Sequence, residues 1–178
     1  VVSHARSCAF PVSVVLSSRR ALIFSLRALW ISLREWVNSR NRLVYESTAS
    51  ERYITAVCAI VDSNAGKISS IGCRHPRPLL FSANGEYHEL ITSGIPLGVL
   101  SRYDFVTAET EFGTGSYCAF YTDGLSEAAS EGRMLGGGGV VHFLKDLQGK
   151  DHSTDAMEAA LFHETNLIVS DDVTLVIV

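Results

Sequence analysis

The sequence lacks the short motifs on which several common kinds of active site depend. Its four cysteines form no C-x-x-C pair and have no metal-ligand spacing against the six histidines. No G-x-S-x-G stretch is present to build a serine nucleophile elbow, and no cysteine has an arginine six residues later, as a cysteine phosphatase loop requires. We therefore expect no zinc site, serine hydrolase or cysteine phosphatase. The thiols are expected to be reduced and mostly buried, as in a cytosolic protein: Cys8, Cys58, Cys73 and Cys118.

Long apolar runs are also missing. Near the start of the chain, arginines interrupt every hydrophobic stretch, at Arg19, Arg20, Arg27 and Arg34. No stretch reaches the roughly 18 apolar residues that span a bilayer. We therefore expect no transmembrane segment.

Acidic residues are scarce at the N-terminus, where residues 1–42 hold seven arginines and only Glu35 as an acid. This composition is typical of an organelle transit peptide, of a helix lying on an acidic domain, or of a basic membrane-surface helix. Because the net charge is −4, the remainder of the chain is acidic. Basic residues and aromatics do not interleave on a predicted sheet face, so we expect no nucleic-acid partner. The sequence begins with Val1 rather than methionine, as expected of a fragment or a processed chain.

A length of 178 residues with 47% hydrophobic residues is typical of one globular domain, predicted over residues 1–178. Residues 12–45 contain no glycine, and Pro11 suits the first turn of a helix. We predict one long helix there, or two helices broken near 30–32, with Trp30 and Trp36 as packing anchors. The prediction depends on an apolar stripe at helical spacing: Val15, Leu22, Leu26, Leu29, Leu33 and Val37.

From Tyr53 onward the apolar period changes to two, which predicts strands joined by hairpins. The predicted strands are 53–62, 67–73, 79–82, 86–91, 105–112, 117–122 and a C-terminal strand. Four consecutive glycines from Gly136 predict a flexible hinge, and they lack the Gly-Lys-Ser/Thr ending of a phosphate-binding loop. Helices are predicted at 140–147 and 155–166. This order indicates a mixed α/β domain with largely antiparallel sheets covered by helices.

An acidic turn follows the predicted buried strand that ends at Tyr121. Asp123 lies at the strand's end beside Gly124, which lets the backbone bend sharply. If a helical turn starts there, Glu127 lies on the same face as Asp123. Two carboxylates on one face suit Mg²⁺ or Mn²⁺. The alternative is an ordinary turn in which Asp123 caps a helix.

A second acidic pair, Asp171 and Asp172, precedes the C-terminal β-branched strand. Adjacent like charges repel, so a bound cation would stabilise them, although a solvated turn is the alternative. Together with the T-D-G-L-S-E turn that contains Asp123, this D-D-V-T sequence resembles the metal-dependent PPM (PP2C-like) serine/threonine phosphatases, and in particular their bacterial stage II sporulation E and sigma-factor-regulating branch. Similar phrases include H-P-R-P from His75 and G-I-P-L-G from Gly94, so the resemblance extends over residues 11–178.

The resemblance implies an α-β-β-α sandwich and hydrolysis of phosphoserine or phosphothreonine on a regulatory protein, for instance an anti-sigma-factor antagonist, in the cytoplasm. It also implies a Mn²⁺ or Mg²⁺ site. Its implied ligands are Asp123 and Asp171, with Glu127 as the candidate ligand of an additional metal, Asp172 as a weaker candidate, and Gly124 shaping the turn. We predict that Asp123 and Asp171 converge on one rim of the sheets.

The chain departs from the family pattern at its N-terminus. The family's D-x-x-G-H-G segment supplies an aspartate that bridges two metals, but His4 stands at the aspartate's position and Cys8 at the histidine's. The family's G-D-x-x-D strand would lie before residue 1, so we expect an N-terminally truncated domain with an incomplete metal site. A catalytically inactive, partner-binding pseudophosphatase is the alternative.

His75 and its arginine neighbours Arg74 and Arg77 form a further polar segment. Two arginines could bind a phosphoryl group, and the histidine could act as a general acid. We favour a structural role for this segment, because it lies in the family's sheet, and we do not assign His75 as catalytic.

Overall fold

The computed structural model describes residues 2–4, 12–17, 20–25, 32–48, 52–91, 93–130, 132–146 and 168–178. It contains three helices in these ranges: α1 Leu33–Ser47, α2 Asp123–Glu127 and α3 Gly136–Asp146. The strands are β1 Val2–His4, β2 Val12–Ser17, β3 Arg20–Ser25, β4 Ala56–Asp62, β5 Lys67–Cys73, β6 Leu79–Phe81, β7 Tyr87–Glu89, β8 Ala108–Glu111, β9 Tyr117–Tyr121, β10 Ala129–Ser130, β11 Arg133–Met134 and β12 Leu175–Ile177. The helix predicted at 155–166 and the anchor Trp30 lie outside the described residues.

Two five-stranded sheets form the centre of the fold. The first sheet has the order β1-β12-β9-β6-β7, and the second has the order β3-β2-β4-β5-β8. Within the described sheets every strand pair is antiparallel except the parallel pair of β1 and β12. The prediction of largely antiparallel sheets is therefore confirmed.

Alternation along the strands divides the buried side chains among three apolar layers. Leu80, Phe120 and Val176 of the first sheet face Val57 and Ile68 of the second, so a core lies between the sheets. The alternate residues of the first sheet pack against α3, as shown by the cluster of Leu79, Ala119, Tyr121, Leu175, Val140 and Leu144. The opposite face of the second sheet packs against α1, through Cys58, Ile71, Leu33 and Val37. The layers are thus α-β-β-α, as predicted.

Residues 12–25 differ from the helix that the sequence predicted. β2 and β3 form an antiparallel pair, and β2 also pairs with β4 from Ser13↔Ile60 to Ser17↔Ala56. The segment is rich in β-branched residues, which favour strands, and its short apolar runs fit either period. Pairing with the edge of β4 satisfies the backbone groups of β2, so the prediction of a helix over 12–25 is wrong.

The second half of the predicted helical region does form a helix. Ser32 caps α1 with a capping box: its hydroxyl accepts from the Glu35 N–H over 3.3 Å, and its own N–H donates to the Glu35 carboxylate over 2.9 Å. Leu33 and Val37 of the predicted stripe are buried. Trp36 packs against the same cluster, with the guanidinium of Arg40 over its ring at 5.1 Å.

The four-glycine run also differs from its prediction, because Gly136–Gly139 form the first turn of α3 rather than a hinge. The N–H groups of the first turn of any helix have no intrahelical hydrogen-bond partner. Glycines therefore disrupt fewer hydrogen bonds there than they would in a helix interior. A Cβ added at Gly139 would lie 2.7 Å from the Leu135 side chain, which would have to shift.

The predicted hairpins are confirmed at β4–β5 and β6–β7. Gly66 in the first hairpin turn has the positive φ, +63°, that its position predicted. Cys58, Cys73 and Cys118 are buried free thiols, as predicted, and Cys8 lies outside the described residues. In the described part of the chain, no helix has the length and apolar character needed to cross a bilayer.

Candidate functional site

The first acidic turn begins where β9 ends. β9 is buried over Cys118–Tyr121, Thr122 is the N-cap residue, and α2 starts at Asp123. Asp123 and Glu127 are exposed, whereas Leu125 between them is buried in the core beneath α3. Asp123 is therefore the first helical residue and not the N-cap, and the two carboxylates lie four positions apart on one helical turn, as predicted.

The second acidic turn lies against the first because β9 and β12 are antiparallel neighbours. Their register is Leu175↔Tyr121, so the end of β9 meets the start of β12. Thr122 extends the contact: its N–H donates to the Thr174 carbonyl oxygen over 3.0 Å. Its hydroxyl donates to the Asp172 carbonyl oxygen over 3.1 Å and accepts from the Thr174 N–H over 2.9 Å. Two segments 50 residues apart are thus held together by one threonine.

Gly124 lets the two acidic segments approach closely. A Cβ added there would lie 2.5 Å from the Asp172 carbonyl oxygen and 3.1 Å from that of Asp171. No larger residue fits unless the segments separate. The sequence pointed to Gly124 as a bend, but Gly124 lies within α2 and its φ is not in the left-handed region. Its requirement for glycine comes from this contact.

The four predicted carboxylates are all exposed: Asp123, Glu127, Asp171 and Asp172. Asp123 Oδ1 accepts a 3.2 Å hydrogen bond from the N–H of Gly124, and Asp171 Oδ1 accepts a 2.7 Å bond from the N–H of Asp172. No group of three or more histidine, cysteine, aspartate or glutamate side chains suited to hold a metal exists among the described residues. The backbone contact supports the convergence of Asp123 and Asp171, and their sharing of an ion stays a prediction.

His4, which stands at the position of the family's bridging aspartate, lies in β1. The parallel register pairs His4 with Ile177, at the end of β12 farther from Asp171 and Asp172. Because Val2 pairs with Leu175, the start of β1 is the end nearer the acidic turns. The register thus does not bring His4 to the bridging position.

Two residues near the acidic turns were not identified as site residues from the sequence. Thr122 gave a signal only as the threonine before Asp123, and its partners became visible with the pairing of β9 and β12. His75 is buried, and burial lowers the pKa of its imidazole, whereas the Asp123 charge and the Tyr121 carbonyl raise it. Of its neighbours, Arg77 forms a 3.1 Å ion pair with Glu89, so it is not directed at the acidic turns.

Comparisons with solved structures show the same fold. The RsbU and RsbW domains of a Mycobacterium tuberculosis protein match at 21% identity and TM-score 0.64, over 83% of this chain and 41% of that one. The SiaA-PP2C domain of Pseudomonas aeruginosa matches at 18% identity and TM-score 0.64, over 81% and 58%. The SpoIIE phosphatase domain of Bacillus subtilis, presoaked with Mn, matches at 15% identity and TM-score 0.59, over 93% and 83%.

This chain therefore spans less than two thirds of the first two of these structures. No match was found among curated proteins. The family model described as stage II sporulation protein E (SpoIIE) matches residues 11–178, nearly the whole length. With the sandwich fold and the T-D-G and D-D-x-T turns in contact, this match shows that the chain belongs to the SpoIIE family of PP2C-type protein serine/threonine phosphatase domains.

Proposed function

We propose that this domain is a Mn²⁺- or Mg²⁺-dependent hydrolase that removes phosphate from serine or threonine of a regulatory protein in bacterial signalling. The observation that carries the proposal is the contact between the two acidic turns, made by Thr122 with Asp172 and Thr174. The proposed partner is a phosphorylated anti-sigma-factor antagonist in the cytoplasm, as the resemblance to the sigma-factor-regulating branch implies.

The residues present fit one divalent ion better than two. Asp123 and Asp171 offer hard oxygen donors, which Mg²⁺ and Mn²⁺ prefer, and Asp172 and Glu127 are further candidates. All four are exposed, so an ion held there would keep much of its water. In the part of the chain that the structure describes, no third histidine, cysteine, aspartate or glutamate side chain is grouped with two of these carboxylates.

Residues of this chain would bind the metal ion and set the distance between the two acidic turns. A bound divalent ion would polarise a phosphoryl oxygen and lower the pKa of bound water. Asp123 and Asp171 would hold it, Thr122 fixes the separation of their backbones, and Gly124 leaves room for the two turns to touch. The exposure of the carboxylates suits a phosphorylated side chain presented by a protein, which cannot enter a narrow pocket.

A pseudophosphatase that binds a partner without catalysis is the second candidate. The observation in its favour is the missing bridging aspartate: His4 aligns with it in sequence, and the pairing of His4 with Ile177 places this residue away from the acidic turns. Two ions in close contact repel strongly, and a neutral or cationic imidazole cannot offset that repulsion as a carboxylate does. On this second candidate, residues 1–178 bind a partner and show little or no metal-dependent turnover.

Hydrolysis of p-nitrophenyl phosphate and of a phosphoserine peptide across a Mn²⁺ titration separates the two candidates. Asp123→Asn removes a proposed ligand, and Asp104→Asn, an equally conservative change in an exposed residue near α1, is the matched control. Manganese-dependent hydrolysis that Asp123→Asn abolishes and Asp104→Asn retains would support the enzyme and exclude the pseudophosphatase. Absence of turnover with Asp123-dependent Mn²⁺ binding would favour the pseudophosphatase. Mn²⁺ binding that is equal in all three proteins would overturn the proposed site.

A further inference from the structure

His75 occupies an unusual place in the connection between β5 and β6. The preceding residue, Arg74, has a φ of +60°, the only positive φ of a non-glycine residue in the described chain. Such a backbone is costly and persists where the surrounding structure requires it. Here it directs Arg74 to solvent and His75 into the protein, where its exposure is 8%. The turn therefore places an imidazole in the interior.

The imidazole of His75 has no hydrogen-bond partner on either ring nitrogen, although both nitrogens are buried. The Tyr121 carbonyl lies near enough to the ring to raise the pKa of the imidazole, yet neither ring nitrogen has a hydrogen-bond partner in the described structure. Buried polar groups in folded proteins are nearly always paired, because an unpaired group loses its water and gains nothing in return. An acceptor within reach of this ring is therefore to be expected.

The antiparallel pairing of β6 with β9 relates the positions of His75 and Asp123. β6 and β9 are antiparallel, with Leu79 opposite Ala119. His75 lies four residues before Leu79 and Asp123 lies four residues after Ala119, so both follow from the same end of this strand pair. Pro76 and Pro78 lie between His75 and β6, and they have no N–H to extend the ladder.

The carboxylate of Asp123 has capacity to accept a further bond. In the described structure it accepts one hydrogen bond, at 3.2 Å from the N–H of its neighbour Gly124. A carboxylate has about four acceptor positions. The negative charge of Asp123 raises the pKa of the His75 imidazole, whereas burial lowers it. An exposed aspartate side chain can rotate toward a fixed, buried donor at little cost.

We propose that His75 is a positioning residue for Asp123: a ring N–H of His75 donates a hydrogen bond to the Asp123 carboxylate and fixes its orientation. The hydrogen bond is inferred from the buried, unpartnered ring nitrogens of His75 and from the adjacency of β6 and β9, and it does not depend on the metal site. Its consequence for ion binding rests on the proposed metal site. Carboxylates that bind metals are themselves held by hydrogen bonds, and losing such a support typically lowers metal affinity by roughly 10-fold to 100-fold.

The hydrogen bond is tested in the metal-free protein by NMR of ¹⁵N-labelled histidine, with the His75 signals assigned by His75→Gln. We expect a ring N–H proton of His75 to resonate downfield and to exchange slowly with water. In Asp123→Asn this proton should move upfield, while in the matched variant Asp171→Asn it should stay in place. A proton that is unmoved by Asp123→Asn would assign the bond to the Tyr121 carbonyl and overturn the proposal, as would equal movement in both variants.

The consequence for ion binding is tested by Mn²⁺ titration followed by electron paramagnetic resonance. His75→Phe removes the donor, and His75→Asn keeps an N–H donor on a shorter side chain. We expect His75→Phe to weaken Mn²⁺ binding by roughly 10-fold or more and His75→Asn to recover part of the loss, with both variants folded by circular dichroism. Unchanged affinity in a folded His75→Phe would overturn the positioning role. If Asp123→Asn leaves Mn²⁺ binding unchanged, the proposed metal site fails, and the NMR result decides the hydrogen bond independently.

Discussion

The hydroxyl of Thr122 donates a 3.1 Å hydrogen bond to the carbonyl oxygen of Asp172, and this bond joins the two acidic turns of the domain. The same hydroxyl accepts from the buried N–H of Thr174. With its hydroxyl engaged there, Thr122 makes no side-chain capping bond to α2, although it is the N-cap residue. The Thr122 hydroxyl thus links the two acidic turns instead of capping α2, which is the usual role of a threonine at this position.

Thr122→Val should lower the free energy of unfolding by about 1–3 kcal/mol, because the Thr174 N–H then stays buried without its acceptor. Urea unfolding followed by circular dichroism measures the change. Thr122→Ser keeps the hydroxyl and serves as the control, with a smaller loss. A valine variant as stable as the wild type would mean that these bonds do not hold the two turns together.

Gly124→Ala should destabilise the protein by about 1–3 kcal/mol, because its Cβ would overlap the Asp172 carbonyl oxygen at 2.5 Å. It should also weaken Mn²⁺ binding by separating Asp123 from Asp171. Gly138→Ala is the matched control: nothing lies within 4 Å of its Cβ, and alanine favours a helix by up to about 1 kcal/mol. Thermal and urea unfolding measure both variants. A Gly124→Ala protein that matches Gly138→Ala in stability would contradict the close contact.

Asp123 and Asp171 should act on the same ion, so their effects on Mn²⁺ affinity should not add. Calorimetry on Asp123→Asn, Asp171→Asn and the double variant gives a double-mutant cycle. We expect the second substitution to cost much less than it does alone, because residues that share one ligand are coupled. Glu127→Gln should cause a smaller loss than either single variant. Additive losses from Asp123→Asn and Asp171→Asn would show that the two carboxylates serve different ions.

The buried thiols should be unreactive in the native protein. Burial raises the pKa of Cys73 to about 12 and raises the pKa of Cys58 and Cys118 well above the usual range of a thiol. In a Cys8→Ser background, a thiol reagent at about pH 8 should react slowly with the native protein and quickly with all thiols after unfolding in urea. Rapid native reaction would contradict the burial of these side chains.

The same shifts predict how stability depends on alkaline pH. The folded thiols have a raised pKa, so their contribution is fully present below the unfolded thiol value of about 8.5 and is lost as the pH rises above it. Urea unfolding midpoints at increasing pH should therefore fall above that value. Replacing Cys73 by alanine should reduce the fall, because one titrating group is removed. An equal fall in both proteins would assign the alkaline loss to other groups.

Local sequence determined the hairpins and the acidic helical turn. Gly66 between β4 and β5 marks a turn by its need for positive φ, and alternation identifies the strands on either side of it. The turn at Asp123 follows from a buried strand that meets a short polar segment. These features depend on neighbours in the chain, so a single sequence contains them.

The predictions that failed concern segments whose local pattern fits two structures. The Val-rich stretch 12–17 fits a helical stripe or a strand, and its pairing with β4 decided for the strand. The glycines from Gly136 to Gly139 are poor helix formers, yet they form the first turn of α3. Val140, Phe143 and Leu144 bury the next turns against the first sheet, and that burial stabilises the helix as a whole.

The sequence by itself determined the family, the layered class of fold and the acidic residues of the candidate site, because these reside in ordered motifs and in apolar periodicity. Only the tertiary structure decided that Thr122 holds Asp172, that Gly124 must lack a Cβ, and that the His75 imidazole is buried without a hydrogen-bond partner. The physical reason is that each of these contacts joins segments far apart in the chain. They exist only when β9 has paired with β12 on one side and β6 on the other.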